Sequence, residues 1–260
     1  MRRTTLFAAR ALAVAACLLP MTAMADPITV NPSAAGVSGS SFTASFIDFS
    51  YVALVDQTAT NGTGNFNIDG GGFFSSFRHP DLPTSVANTG INTNYKMYAT
   101  FNGTGTVSPT TGVPGGMTAT YNTFQMSIFV DKNSNTTIVA DGIGAPNGTV
   151  TTGGTTSDDV LVGNTTGLIA GESHVFPGLA NGDFHMKLNF TPVGGFLSGG
   201  LIADFNGVNT SLQGITMGSF VDGRIDGSGN VSLGVPEPGT LLLIGSGLAA
   251  LGWMRRKQSV

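Results

Sequence analysis

Hydrophobic and polar residues alternate at every second position in several short stretches of this chain. Two of these stretches are Phe42–Phe46 and Gly64–Asp69. The clearest is Phe184–Phe190, where one face carries the large apolar side chains of Phe184, Met186, Leu188 and Phe190. A period of two residues is typical of a β-strand with one buried face and one solvated face. The pattern therefore predicts half-buried strands, with these four side chains packed inward.

Longer runs rich in Thr, Tyr, Phe, Val and Ile lie at Tyr51–Val55, Asn94–Phe101, Met117–Val130 and Gln213–Val221. These residue types favour strands, and Gly-Gly, Asn-Gly and Asp-Gly pairs separate the runs as turns. The sequence thus predicts an all-β fold, a single antiparallel β-sandwich-like domain over residues 26–222. The polar, glycine-rich residues 223–234 are predicted to form a linker.

The first 25 residues have the pattern of a secretory signal peptide. Positive charge at Arg2 and Arg3 precedes the apolar run Ala11–Leu19. Ala23 and Ala25 then give the small-x-small site that signal peptidase would cleave. We therefore expect the protein to be exported and residues 1–25 to be removed.

Cys17 is the only cysteine of the chain, and it lies within this predicted signal peptide. The preceding Val14-Ala15-Ala16 resembles a lipobox, which leaves lipidation of Cys17 as an alternative. Otherwise the mature chain has no thiol and no disulfide, so its core must be held by burial of apolar side chains alone.

The C-terminal residues 235–260 contain three physically different pieces. Pro236, Glu237 and Pro238 are held extended, because proline removes a backbone donor and restricts the residue before it. The uncharged stretch Thr240–Met254 follows and is predicted to be a short hydrophobic helix. Arg255, Arg256 and Lys257 close it with positive charge. By the positive-inside rule the basic cluster lies on the cytoplasmic side, and the residues before Val235 lie outside.

This order of pieces resembles the PEP-CTERM sorting signal. The resemblance implies recognition by exosortase, a membrane transpeptidase-like protease of Gram-negative bacteria that make exopolysaccharide. It implies that Pro236, Glu237 and Pro238 are the processing signal, and that Arg255, Arg256 and Lys257 fix the topology during a transient insertion in the inner membrane. The protein is then expected at the cell surface or in the extracellular matrix.

The formal charge of −4 is unevenly distributed along the chain. Six of the eleven basic residues lie in the two targeting ends, and residues 26–234 keep five basic residues against fourteen acidic ones. Nucleic acid is excluded as a partner, because its binding needs basic side chains to neutralise phosphates. A polyanionic polysaccharide is also disfavoured as a direct ligand, unless divalent cations bridge the two.

The sequence offers no convincing catalytic set. Ser173 and His174 are adjacent but lack a G-x-S-x-G elbow, and neighbouring side chains of a strand point to opposite faces. His185 falls on the polar face of Phe184–Phe190, and His79 is in a loop beside Pro80. We therefore expect a protein that is not an enzyme.

Asp131, Asn133 and Asn135 begin like a calcium loop, with oxygen ligands at every second position. The pattern then fails, because Thr136 stands in place of the turn glycine and Gly142 in place of the bidentate glutamate. Asp158-Asp159 and Asp204-x-Asn206 are further acidic candidates. The alternative is a polar turn whose side chains cap their own backbone. A weak structural calcium ion at Asp131, Asn133 and Asn135 is thus one prediction, and no other cofactor is expected.

Two functions remain open. The first is a non-catalytic surface or matrix protein, retained among exopolysaccharide. The second is a secreted carbohydrate-binding module or hydrolase that carries a sorting tail. The segments Phe42–Asp48 and Val175–Asp183 are similar to those of the flocculation-associated PEP-CTERM proteins, which implies a role in flocculation, aggregation or biofilm formation. The only tryptophan, Trp253, lies in the tail, so residues 26–234 lack the side chain that sugar-binding sites most commonly present.

Overall fold

The computed structural model describes residues 27–57, 63–79, 84–141, 149–176, 181–198, 201–216 and 219–234. Their regular elements are twelve β-strands and one 3-10 turn. The strands are β1 Ile28–Val30, β2 Phe42–Ala44, β3 Phe46–Gln57, β4 Gly64–Arg78, β5 Lys96–Pro109, β6 Met117–Asp131, β7 Thr137–Asp141, β8 Thr149–Gly153, β9 Val160–Phe176, β10 Asn181–Pro192, β11 Leu201–Thr216 and β12 Ser219–Gly234, and the turn is Pro32–Ala35. No helix in this part of the chain is long and apolar enough to cross a membrane.

Eight of the described strands close into a barrel. Their order is β10-β11-β12-β3-β4-β5-β6-β9, and every neighbouring pair is antiparallel. The all-β prediction is confirmed, but the predicted sandwich is wrong. Two stacked sheets would leave four unpaired edges, whereas closure pairs every barrel strand on both sides. The pairs β1–β2 and β7–β8 form separate two-stranded sheets.

The interior of the barrel is mostly apolar. Phe184, Met186, Leu188 and Phe190 of β10 are all at most 8% exposed, as their alternation predicted. Aromatic rings meet inside at edge-to-face or tilted angles, as where the Phe49 centroid lies 5.6 Å from that of Phe205. Each large apolar side chain buried in this way contributes about 1.5–3 kcal/mol to stability. Burial thus holds the described domain together.

Part of the outer face of the barrel is polar. Along β5 the exposed residues are Asn102, Thr104, Thr106 and Ser108, and they alternate with buried Gly103, Gly105 and Val107. The Thr104 and Thr123 hydroxyls of β5 and β6 are hydrogen-bonded across the strands at 2.8 Å. This face therefore offers hydroxyl and amide groups to solvent and to anything that binds from outside.

The predicted linker 223–234 is also wrong, because these residues form most of strand β12. They pair with β11 on one side and β3 on the other. Ile225, Val231 and Leu233 share one face and are 7%, 1% and 2% exposed.

The glycines of β12 serve close packing rather than flexibility. A Cβ atom added at Gly227 would lie 2.5 Å from the Tyr51 hydroxyl. One added at Gly229 would lie 2.2 Å from the carbonyl oxygen of Asn206. Only glycine lets the neighbouring strand and ring approach so closely.

The predicted signal peptide at 1–25 and the predicted short helix at Thr240–Met254 lie outside the described residues.

Removing residues 223–234 tests whether they form a barrel strand or a linker. The fragment 26–234 should unfold in a cooperative thermal transition, whereas the fragment 26–222 should not. The shorter fragment lacks three buried aliphatic side chains at about 1.5–3 kcal/mol each, and it opens the barrel between β3 and β11. That loss is comparable with the whole stability of a typical domain, about 5–15 kcal/mol.

Circular dichroism during heating measures both transitions. Equal cooperative melts of the two fragments would contradict the assignment of β12 to the barrel.

Candidate functional site

Asp131 is the last residue of β6 and is completely buried. Its carboxylate caps the turn that follows. Oδ1 accepts the backbone N–H groups of Asn133 at 3.2 Å and Ser134 at 2.8 Å, and Oδ2 accepts that of Thr136 at 2.8 Å. Ser134 adopts φ 59°, and the carboxylate bonds hold this left-handed turn. For Asp131, the structure therefore shows the side chain capping its own backbone.

The other residues of the predicted calcium loop are placed differently. The amide oxygen of Asn135 accepts the backbone N–H of Thr155 at 3.2 Å, across the base of the β7–β8 hairpin. For Asn133, the structure shows its N–H bound to Asp131. The side-chain oxygens of Asp131 and Asn135 are thus both engaged with backbone donors.

A different set of oxygens gathers around Asp131. Asp158 and Asp159 directly precede β9, and one carboxylate oxygen from each of Asp131, Asp158 and Asp159 lies within 4.8 Å of the others. Asp159 Oδ2 accepts hydrogen bonds from the hydroxyls of Tyr98 at 2.6 Å and Thr136 at 3.1 Å. The Oδ1 atoms of Asp158 and Asp159 are inaccessible to solvent and have no hydrogen-bond donor. We call these three residues the aspartate cluster.

The negative charge of the aspartate cluster has no basic partner in the described part of the chain. There, the ion pairs are made by other carboxylates, namely Asp48, Glu172, Asp183, Asp204 and Asp226. Burial, followed by the hydrogen bond to Asp159 and the charges of the cluster, raises the pKa of Tyr98 above its usual range. Tyr98 therefore keeps its proton and remains a donor to Asp159.

The third acidic candidate, Asp204-x-Asn206, makes its contacts with neighbouring residues of β10 and β11. Asp204 Oδ1 contacts His185 Nε2 at 2.9 Å and accepts a hydrogen bond from the Asn206 amide at 2.8 Å. Asp204 and His185 are cross-strand diagonal neighbours on β11 and β10. The structure thus brings two of the three acidic candidates together and leaves this one apart.

Ser173 and His174 face opposite sides of β9. Ser173 is 5% exposed and points inward, and its hydroxyl donates to the carbonyl oxygen of Asp183 at 2.8 Å. His174 points outward, with Nδ1 at 2.7 Å from Asp183 and Nε2 at 2.9 Å from Glu172. The two side chains therefore do not form a nucleophile–base pair.

One cavity in the barrel interior is small. It measures about 40 Å³ and is lined mostly by aromatic side chains. Its polar group is a chain in which the buried Tyr51 hydroxyl donates to Asn209 and the Asn209 amide donates to Ser173. Burial is the main reason that the pKa of Tyr51 is raised. Sites for organic ligands usually measure about 300–1,000 Å³, so this space suits ordered water.

A larger depression lies on the outer surface, across strands β3, β4, β11 and β12. It encloses about 610 Å³, and the polar side chains in its lining include Asp48, Arg78, Asn206 and Asn230. Arg78 and Asp48 form an ion pair at 2.6 Å on its wall. We call it the outer groove.

Comparison with known protein families finds the PEP-CTERM protein-sorting motif at residues 234–257. The chain therefore carries a PEP-CTERM sorting motif, which implies targeting to exosortase and export through the membrane to the cell surface. Pro236, Glu237, Pro238, Arg255, Arg256 and Lys257 all fall within the motif. These residues, and Ala23 and Ala25 of the predicted signal peptide, lie outside the described residues, so their individual roles stay predictions. No curated protein and no solved structure matches the chain.

The contacts of His174 predict a pH dependence of stability. The hydrogen bond to Asp183 is the largest cause that raises the pKa of His174 in the folded protein, opposed in part by burial. The stabilisation is thus complete below the unfolded value of about 6.5 and is lost as the pH rises through the higher folded value. Because the His174 side chain is one third exposed, we expect it to contribute less than about 1 kcal/mol to the free energy of unfolding.

Thermal melts near pH 6 and pH 8 measure this dependence. His174→Gln should remove the part of the pH-dependent change in Tm that this histidine causes, and Asp183→Asn should remove most of it. An unchanged difference in Tm between the two pH values in both variants would contradict the assignment.

Proposed function

We propose that this protein is a non-catalytic component of the extracellular matrix that promotes flocculation, aggregation or biofilm formation by the cell that exports it. The PEP-CTERM motif at residues 234–257 carries this proposal. It supplies the destination, and the described domain supplies a stable polar surface to display there.

The barrel supports a role in contact rather than in catalysis. Its interior is mostly apolar, and the interior cavity described above measures only about 40 Å³. We therefore place its interactions on the outer surface. Hydroxyl and amide side chains on β5, at Asn102, Thr104, Thr106 and Ser108, are suited to hydrogen bonds with the hydroxyl groups of a polysaccharide. Ser173 and His174, the adjacent pair that could suggest hydrolysis, are on opposite faces of β9.

Charge favours neutral matrix polymers over anionic ones. Residues 26–234 have nine more acidic than basic residues, and an acidic surface repels a polyanion. Contact with an anionic polysaccharide would need a divalent cation between the two.

The outer groove favours a second candidate function, a secreted carbohydrate-binding module. It is wide and lined by Asn206, Asn230 and Ser228 beside the Arg78–Asp48 ion pair. Amide and hydroxyl groups of this kind form the polar part of many sugar sites.

The proposed route to the surface can be tested at the sorting signal. Signal peptidase would remove residues 1–25, Thr240–Met254 would insert transiently in the inner membrane, and exosortase would recognise Pro236-Glu237-Pro238. Glu237→Ala should trap the full-length form in the inner membrane. Glu172→Ala changes the only other glutamate of the chain and is the matched control, which should be processed normally.

Mass spectrometry of the exported protein reads its C-terminus. A surface protein that still ends at Val260 would show that the tail is a permanent anchor. Normal processing of Glu237→Ala would show that Glu237 is not part of the processing signal.

The matrix role is tested by deleting the gene in the producing cell and measuring floc or biofilm mass. We expect a loss that is restored by the wild-type gene but not by the gene for Glu237→Ala. Unchanged aggregation after deletion would overturn the proposed role.

The fragment 26–234, incubated with the producer's own polysaccharide, separates the two candidate functions. Saturable binding that is lost when Asn206 and Asn230 are both changed to Ala would favour the carbohydrate-binding module. Release of shorter chains would show a hydrolase.

A further inference from the structure

We propose that Asp131, Asp158 and Asp159 bind a calcium ion that fixes the β7–β8 hairpin to the barrel. This site shares one residue with the loop predicted from sequence and differs in the other two. It is independent of the proposed matrix role, since it rests only on the geometry of the described residues.

The first observation is a pair of buried oxygens without partners. Oδ1 of Asp158 and Oδ1 of Asp159 are both inaccessible to water and receive no hydrogen bond. A buried carboxylate oxygen with no donor is costly, because it has lost its water and gained nothing in return. A cation between these oxygens would supply the missing interaction.

The second observation is the placement of a third carboxylate. Asp131 is completely buried and has an oxygen within 4.8 Å of oxygens of both other aspartates. Its backbone hydrogen bonds fix its position, and a carboxylate oxygen that accepts such bonds keeps further lone pairs. Tyr98 and Thr136 similarly fix Asp159 through Oδ2, and leave Oδ1 free to bind.

The third observation is where the aspartate cluster lies in the chain. Asp131 ends β6 just before the β7–β8 hairpin, and Asp158 and Asp159 follow that hairpin just before β9. The two legs of the hairpin touch at this level, since a Cβ atom at Gly154 would lie 2.4 Å from the carbonyl oxygen of Asn135. A bound cation would therefore join the entry and exit of the hairpin at its base.

The hairpin itself rests on the barrel. A Cβ atom at Gly71 of β4 would lie 3.0 Å from the Cδ1 atom of Ile138 in β7. Both hairpin strands lie against β3 and β4, but the residues of β7 and β8 are all exposed or half-buried. A cation at the base would hold the hairpin in place where its own packing is weak.

The donor chemistry favours calcium. The cluster offers three carboxylates, and the hydroxyls of Tyr98 and Thr136 lie beside Asp159. Oxygen atoms of this kind are hard ligands. Calcium tolerates irregular sets of six to eight oxygens, whereas magnesium demands a near-ideal octahedron. Calcium sites in extracellular modules typically have Kd values of about 10⁻⁴–10⁻³ M.

The test uses the exported protein, freed of metal with EDTA and titrated with CaCl₂ during thermal melts. We expect Tm to rise progressively up to about 10 mM CaCl₂, because an ion that binds only the folded state stabilises it by mass action. Asp158→Asn should shift the response to at least about tenfold higher CaCl₂, since ligand charge sets the affinity. Asp204→Asn, at an aspartate outside the cluster, is the matched control and should keep the wild-type response.

The metal-free proteins provide a second readout that a purely structural aspartate would not give. Asp158 Oδ1 accepts no hydrogen bond in the described structure, and the charge of Asp158 repels those of Asp131 and Asp159. Metal-free Asp158→Asn should therefore be at least as stable as the metal-free wild type. A clear loss of its Tm in EDTA, or its failure to fold, would overturn the proposal.

Terbium provides a direct probe of the site, because Tyr98 donates to Asp159 at 2.6 Å and can sensitise the luminescence of a bound lanthanide. We expect tyrosine-sensitised emission that CaCl₂ displaces and that Tyr98→Phe and Asp158→Asn both reduce strongly. A Tm insensitive to CaCl₂, emission retained in Asp158→Asn, or an equal response to MgCl₂ would each overturn the calcium assignment.

Discussion

The structure depends on the pairing of β12 with both β11 and β3. This strand pairs with β11 from Ile202 to Thr216, with two shifts of register, and with β3 from Phe46 to Val55. Without it, the eight-stranded barrel would be an open sheet with two long exposed edges, which are prone to pair with other chains. Because β3 is the first barrel strand and β12 the last, closure joins residues far apart in sequence, and such contacts form slowly. The domain can close only after almost all of it has been exported.

The packing between β3, β11 and β12 explains why β12 contains so much glycine. Tyr51 of β3 reaches over Gly227 of β12 and donates its hydroxyl to Asn209 of β11. A larger residue at position 227 would displace the ring, so one aromatic side chain fixes a glycine in the neighbouring strand. Glycine in a strand costs about 0.5–1 kcal/mol relative to alanine, while the burial of an aromatic ring contributes more than that. The balance of these two contributions favours glycine beneath large rings. The same arrangement recurs where the Phe190 ring covers Gly163.

The use of glycine beneath large rings also determines which strands could be predicted from the sequence. Phe184–Phe190 was predicted correctly because each of its inward positions carries a large apolar side chain. In β12 the inward positions include Gly227 and Gly229, whose lack of a side chain hides the period of two that Ile225, Val231 and Leu233 complete. Alternation also cannot separate a sandwich from a barrel, because both bury one face of every strand.

The aspartate cluster could not be predicted from the sequence, because Asp131 and Asp158 lie on opposite sides of a hairpin and only its folding brings them together. Their acidic character and loop position were visible, but their pairing was not.

The sorting motif begins at residue 234, and β12 ends at Gly234. The last strand of the barrel and the sorting signal are therefore consecutive in sequence, without the linker that the glycines suggested. Leu233 is buried and pairs with Ala203, so the fold uses the chain up to the residue before the motif. Cleavage within or beyond Pro236-Glu237-Pro238 would leave every described strand pairing intact, whereas cleavage only a few residues earlier would remove Val231 and Leu233 from the core. Because Pro236 and Pro238 follow the last residue of β12, the tail can be removed without loss of strand pairing in the barrel. The sorting signal and the stability of the barrel therefore depend on different residues.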